Sequence, residues 1–151
     1  MTGGGKKAGC VFCDASRPPS PDSLIVHEGT ACYIILNLYP YNNGHLMVVP
    51  QRHVPSLVAL TPEELAEVGV LTQRAEAALT EAYRPHGMNV GINMGKAAGA
   101  GVEEHIHVHV VPRWNGDTNF MTTVGNMRVL PEELGATAAR LKPIFARLAS
   151  T

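Results

Sequence analysis

The chain has 151 residues, of which 45% are apolar and 17% charged, and its formal net charge is −1. That is one domain's worth of chain with enough apolar content for a real core. Near-neutral charge without a basic run argues against nucleic-acid and membrane-surface partners, and no apolar stretch approaches the ~18 residues of a membrane span. The opening Met1-Thr2-Gly3-Gly4-Gly5-Lys6-Lys7 lacks the apolar region of a secretory signal. Residues 1–9 read as a flexible tail and 10–151 as a single domain. Three cysteines, an odd number, argue against a disulfide framework and for reduced thiols in the cytoplasm.

Cys10-Val11-Phe12-Cys13 opens the domain. A Cys-x-x-Cys is a redox pair, half of a zinc site, or two packed thiols. Pro18, Pro19 and Pro21 follow, so no long helix starts here, and the redox reading loses ground. A closed zinc site needs four ligands, and the missing pair has to be histidine. Ser23 to Glu28 and Thr30 to Leu36 read as two short strands around a Glu28-Gly29 turn, with Cys32 as a small buried hydrophobe and His27 as an exposed strand residue. Asn42-Asn43-Gly44 is a turn signal because Asn and Gly tolerate positive φ. It joins Tyr33–Asn37 to His45–Val49 as an antiparallel hairpin, bounded by Pro40 and Pro50.

Thr61-Pro62-Glu63-Glu64 has the form of a helix start: Thr as N-cap, Pro at the first position, Glu at the capping-box position. Leu65, Val68, Leu71, Ala75 and Leu79 then recur at helical spacing, predicting an amphipathic helix from Pro62 to about Tyr83 that Pro85 and Gly87 end. Asn89 to Met94 reads as a strand. It leads into a loop, Gly95-Lys96-Ala97-Ala98-Gly99-Ala100-Gly101, whose small residues let backbone N–H groups converge on an anion.

The next run, Glu103 to Trp114, alternates His105, His107 and His109 with Ile106, Val108 and Val110. Period two in a β-branched run predicts a strand with the histidines on one face and the aliphatic residues on the other, buried one. Three imidazoles in register are poor core material, since each carries a donor and an acceptor that need partners. They suit nucleophilic, acid–base or metal chemistry near neutral pH. Arg113 and Trp114 then pack on a ligand, at a subunit boundary, or over the sheet edge. Pro131 opens a second amphipathic helix, with a kink or break expected near Ala139–Lys142 because of Pro143.

The run His105-Ile106-His107-Val108-His109-Val110-Val111 resembles the signature of the histidine triad (HIT) superfamily. Asn37 to Pro50 resembles its upstream hairpin, and Asn93-Met94-Gly95 its strand before the phosphate loop. The resemblance covers most of the chain from about Cys10 to Met121. It implies an α+β fold with a mostly antiparallel sheet, one long helix and a C-terminal helix, assembled as a homodimer that joins two sheets. It implies His107 as nucleophile on the α-phosphate of a nucleotide, His109 as the residue that assists the leaving group, and His45 as a support from the adjacent strand. Asn37 matches a ribose-holding position, Ile35 and Leu38 the base pocket, and Asn93, Gly99 and Gly101 the phosphate contacts. Zinc-bearing relatives use positions equivalent to Cys10, Cys13, His53 and His105, which implies one structural zinc.

The loop departs from the Gly-x-x-Ala-Gly-Gln-x-Val pattern of many members: Ala100-Gly101 carries no side-chain amide. The pattern Gly-x-Gly-Val-Glu-Glu at 99–104, with the later Pro112-Arg113-Trp114 and Asp117-Thr118-Asn119-Phe120, resembles the bacterial branch that includes diadenosine tetraphosphate phosphorylases. Chemically, an imidazole that attacks phosphorus splits one hard displacement into two through a covalent phosphohistidine. Two classes follow from the resemblance. One is an enzyme cleaving a phosphoanhydride bond of a nucleotide such as diadenosine tetraphosphate, with water or phosphate as acceptor. The other is a nucleotide-binding, zinc-stabilised interaction protein with vestigial catalysis.

Overall fold

The computed structural model describes residues 7, 9–16, 23–117 and 132–150. Most of the expected tail, Pro18, Pro19, Pro21, the stretch that follows Asp117, and Pro131 lie outside the described residues. Among the described residues, three helices, α1 (Val11–Ala15), α2 (Pro62–Tyr83) and α3 (Leu134–Ala149), accompany five strands: β1 (Ile25–Glu28), β2 (Cys32–Leu36), β3 (Leu46–Pro50), β4 (Gly87–Ile92) and β5 (Val108–Arg113). The strands form one antiparallel sheet in the order β1-β2-β3-β5-β4, so the fold is α+β as expected.

Every residue of β2 and β3 is buried, because both faces of the sheet centre are covered. Alternation still sorts the side chains. Cys32, Ile34, Leu36, Leu46, Val48, Val108 and Val110 join Leu71, Leu79, Leu141 and Phe145 in the core beneath α2 and α3. Tyr33, Ile35, Met47 and Val49 face the other way, against Phe12 of α1. Each large side chain so buried contributes ~1.5–3 kcal/mol.

The start of α2 follows its sequence signal: the Thr61 hydroxyl accepts from the Glu64 N–H at 3.1 Å, and the Glu64 carboxylate accepts from the Thr61 N–H at 2.8 Å. Leu65, expected in the apolar stripe, is 49% exposed, and Glu64 turns inward instead. Arg52 donates to both Glu64 carboxylate oxygens at 2.7 and 2.8 Å. This guanidinium holds the Glu64 carboxyl down at about 2. α3 begins at Leu134 and runs without a break through Pro143, contrary to expectation. The carbonyl that Pro143 leaves without its helical donor belongs to exposed Ala139, a position open to solvent, and buried Leu141 and Phe145 hold the helix on both sides.

Local boundaries differ too. The expected β2–β3 hairpin forms, but its connection is a wide loop from Asn37 to His45. Within that loop the Asn-Asn-Gly turn closes by a 3.1 Å bond from the His45 N–H to the Asn42 carbonyl. Gly44 sits at φ +83, with an added Cβ 3.0 Å from Leu79 and Tyr83, so only glycine fits. The expected histidine strand is regular only from Val108, so His105 and His107 lie in its lead-in. His27 is half-buried rather than exposed, its ring 5.6 Å from that of Phe145 and its Nε2 without a partner.

Candidate functional site

His109 lies on β5 between Met47 of β3 and Gly91 of β4, facing away from the α2–α3 core. The expected open histidine face is a correction: His105 is 0% and His107 4% exposed. Burial is tolerable because each ring has a defined partner. The His107 Nδ1 lies 2.9 Å from the His105 carbonyl. A carbonyl only accepts, so Nδ1 carries the proton and Nε2 keeps its lone pair. Burial pushes the His107 imidazole below its ordinary 6.5, against the upward pull of that carbonyl.

A second chain of contacts sets the remaining tautomers. The Tyr41 N–H donates to His45 Nδ1 at 3.0 Å, so neutral His45 is protonated at Nε2. His45 Nε2 lies 2.9 Å from His109 Nδ1 and donates to it. His109 must then carry its proton on Nε2, available as a donor. The Asn37 amide nitrogen, 3.4 Å from His45 Nε2, faces a donor and is only a neighbour. Burial, then the nearby His109 and His107, lower His45 to about 4. Burial, then His107, lower His109 as well. All three rings are therefore neutral near pH 7.

On the other side of His107, Cys10, Cys13, His53 and His105 bring their ligand atoms within 4.8 Å of one another. His105 Nε2 donates to the Pro50 carbonyl at 2.8 Å, which leaves Nδ1 with a lone pair aimed at the cluster. His105 Nδ1 lies 3.4 and 3.6 Å from the Cys10 and Cys13 sulfurs and 3.2 Å from His53 Nδ1, and the Cys13 sulfur lies 3.4 Å from His53 Nδ1. Tetrahedral zinc, with bonds of ~2.3 Å to sulfur and ~2.0–2.1 Å to nitrogen, spaces S and N by ~3.6 Å and two N by ~3.4 Å. The donor set and spacings fit zinc. Four protein ligands close the site, so its role is structural. Cys32 is apart from it, and burial raises its thiol to about 12.

A cavity of about 790 Å³ opens beside His107 and His109. Ile35, Asn37, Leu38, Asn93, Gly99 and Gly101, the residues expected to contact nucleotide, all line it; His45 stands behind His109 and does not. The positive φ of Gly99, +91, ends a short 3-10 turn over Lys96–Ala98 and lets the loop bend toward the cavity. Arg113 and Trp114 do not line the cavity. Arg113 pairs with Asp117 at 2.8 Å and donates to Asn89, and the Trp114 ring meets Tyr83 edge-on. Sequence reasoning missed the part of the wall that α1 supplies: Val11, Phe12, Asp14 and Ala15. The apolar pair between the two cysteines was the only available signal.

The chain is similar in sequence and fold to known proteins. The HIT domain family model matches residues 19–116. The AP-4-A phosphorylase of Mycobacterium tuberculosis is 47% identical over 136 residues, which is 90% of this chain and 70% of that protein. The bis(5'-nucleosyl)-tetraphosphatase of Schizosaccharomyces pombe is 38% identical over 82 residues, 54% of this chain and 44% of its own length. A Zn-bound histidine triad family protein from Mycobacterium smegmatis superposes with a TM-score of 0.73 at 34% identity, over 94% of this chain and 96% of its own. With the family match spanning the sheet and the histidine run, the chain belongs to the histidine triad (HIT) family.

Proposed function

We propose that this protein is a nucleotidyl-transferring enzyme. It cleaves a phosphoanhydride bond at the α-phosphate of a nucleotide such as diadenosine tetraphosphate, through a covalent nucleotidyl-histidine, with water or inorganic phosphate as acceptor. The observation that carries this reading is the pair of tautomers at the cavity: a lone pair on His107 Nε2 beside an N–H on His109 Nε2. A nucleophile and a donor adjacent to one cavity are what an in-line displacement requires. The relatives named for AP-4-A and nucleosyl-tetraphosphate chemistry support the substrate class.

In the first step the His107 Nε2 lone pair forms a bond to the α-phosphorus, and the bond from phosphorus to the bridging oxygen breaks. The departing nucleoside polyphosphate takes the electron pair, and His109 Nε2–H donates a hydrogen bond to that oxygen as it takes on charge. In the second step water or phosphate displaces the imidazole, the N–P bond breaks, and the acceptor's proton passes to solvent. Ile35 and Leu38 would hold the base, Asn37 the ribose hydroxyls, and Asn93, Gly99 and Gly101 the phosphates. The test is product analysis after incubation with diadenosine tetraphosphate. AMP plus ATP indicates hydrolysis. ADP plus ATP, dependent on inorganic phosphate, indicates phosphorolysis. No product and no adenylyl adduct on His107 by mass spectrometry would leave a nucleotide-binding protein instead.

The working unit we propose is a cytoplasmic homodimer joined along β4, with residues 10–151 as one domain. Among the described residues β4 pairs only with β5, and Val90 and Met94 stand 52% and 45% exposed near that edge. Cys10, Cys13 and Cys32 form no disulfide, and no helix among the described residues is long and apolar enough to cross a membrane. Sedimentation that finds only monomer at micromolar concentration would remove the dimer.

A further inference from the structure

α1 is five residues long, with Cys10 as an N-cap that makes no side-chain cap bond. A single helical turn of this kind has no stability of its own. Three things hold it against the sheet. The Tyr33 hydroxyl donates to the Phe12 carbonyl at 2.6 Å. The Phe12 ring is buried against Tyr33, Ile35, Met47 and Val49. The third tie is the ligand set, in which Cys10 and Cys13 bracket the helix start and meet His53 and His105.

The same short helix faces the cavity. Val11, Phe12, Asp14 and Ala15 line it, opposite the histidines. Phe12 touches both sites: its ring centroid is 5.4 Å from that of His105 and 4.7 Å from that of His107. The backbone makes a second link, since the His105 carbonyl that fixes His107 Nδ1 belongs to the residue whose ring reaches the metal position. Losing the metal therefore frees one wall of the cavity and loosens the ring that packs on His107.

We infer that the metal-clamped α1, acting through Phe12, is the fixed wall of the nucleotide cavity, so that metal binding and nucleotide binding are thermodynamically coupled. The inference rests on reading the cavity as a nucleotide pocket. In it Phe12 is a positioning residue for His107, and the metal is a conformational clamp on α1 that takes no part in the phosphoryl chemistry. Coupling between two ligands is reciprocal: whatever factor zinc adds to nucleotide affinity, nucleotide adds to zinc affinity.

The experiment uses the full chain, with AMP and zinc as probes. AMP binding is measured by calorimetry on zinc-loaded protein and on protein stripped by a chelator, with circular dichroism reporting the sheet. Zinc affinity is measured by competition with a chromogenic chelator, with and without AMP. The expected result is AMP affinity weaker by ~10-fold or more without zinc, and zinc held more tightly by the same factor with AMP, within the usual range of coupling. Zinc-loaded Phe12→Ala should keep its metal content yet bind AMP more weakly, and Phe12→Leu should recover part of the loss. If stripped protein loses its sheet, the competition measurement decides: zinc held no more tightly with AMP than without it overturns the coupling. Equal AMP affinity with and without zinc in folded protein, or Phe12→Ala that binds AMP like the wild type, overturns the coupling and leaves the nucleotide reading standing. Zinc-loaded wild type that binds no AMP overturns that reading and the inference together.

Discussion

His45 touches no part of the cavity, and its 2.9 Å bond to His109 Nδ1 is the route by which it acts. That makes a double-mutant cycle informative. Removing His109 takes away a hydrogen bond to an oxygen that is becoming charged, worth ~1.5–3 kcal/mol, or ~10- to 150-fold in kcat/KM. Removing His45 leaves His109 in place but frees its tautomer. The loss is one neutral hydrogen bond, ~1 kcal/mol or about fivefold. His107→Ala should abolish the covalent adduct altogether. If His45 works only through His109, the His45→Ala/His109→Ala double variant should be no slower than His109→Ala alone, a large departure from additivity. The assay is initial-rate kinetics on diadenosine tetraphosphate, with thermal unfolding of each variant to confirm the fold. Multiplicative losses in the double variant would refute the relay and require an independent role for His45.

Elemental analysis should find about one zinc per chain from the four-ligand set, and Cys13→Ser should lose the metal and unfold at a lower temperature; retention of full metal content and stability would sink the site. Because burial lowers His107 below 6.5, kcat/KM should stay level as pH falls through 6.5 and decline only below it; a half-maximal point above 6.5 would contradict this. For stability, His45 binds a proton at 6.5 when unfolded but at about 4 when folded, so its contribution is complete above 6.5 and is lost as pH falls from there toward 4; denaturant midpoints should fall over that window, less steeply in His45→Ala. Phe145→Ala, at 0% exposure beneath the sheet, should cost ~3–5 kcal/mol by denaturant unfolding while AMP affinity in the folded protein is unchanged, since Phe145 does not line the cavity.

Features governed by short-range pattern were legible in the sequence. The capping box at Thr61 and the Asn42-Asn43-Gly44 turn each need only a few neighbouring residues, and each formed; the histidine alternation became regular strand only from Val108. The ligand set spanning Cys10 to His105 was legible only through resemblance, because nothing local ties an N-terminal cysteine to a histidine about ninety residues on. Features set by what covers a surface were not legible. The burial of His105 and His107 depends on α1 arriving from the far end of the chain. The inward turn of Glu64 depends on Arg52, and the pairing of His27 with Phe145 depends on α3. Pro143 was misjudged because its effect depends on whether the freed carbonyl meets water, which helical spacing does not reveal.

The position of β5 in the sheet has a consequence for how the protein is made. β5 lies between β3 and β4, so it must insert beside a strand synthesised some sixty residues earlier. While the ribosome is still short of His105, the emerging chain already displays Cys10, Cys13 and His53. That is an incomplete coordination shell, free to take up metal with an open position. Neither His107, the proposed nucleophile, nor His105, the last of the four ligands, exists at that stage, and the two arrive within three residues of each other. The late closure of this long-range contact delays folding, and it ties completion of the coordination shell by His105 to the arrival of His107 two residues further on.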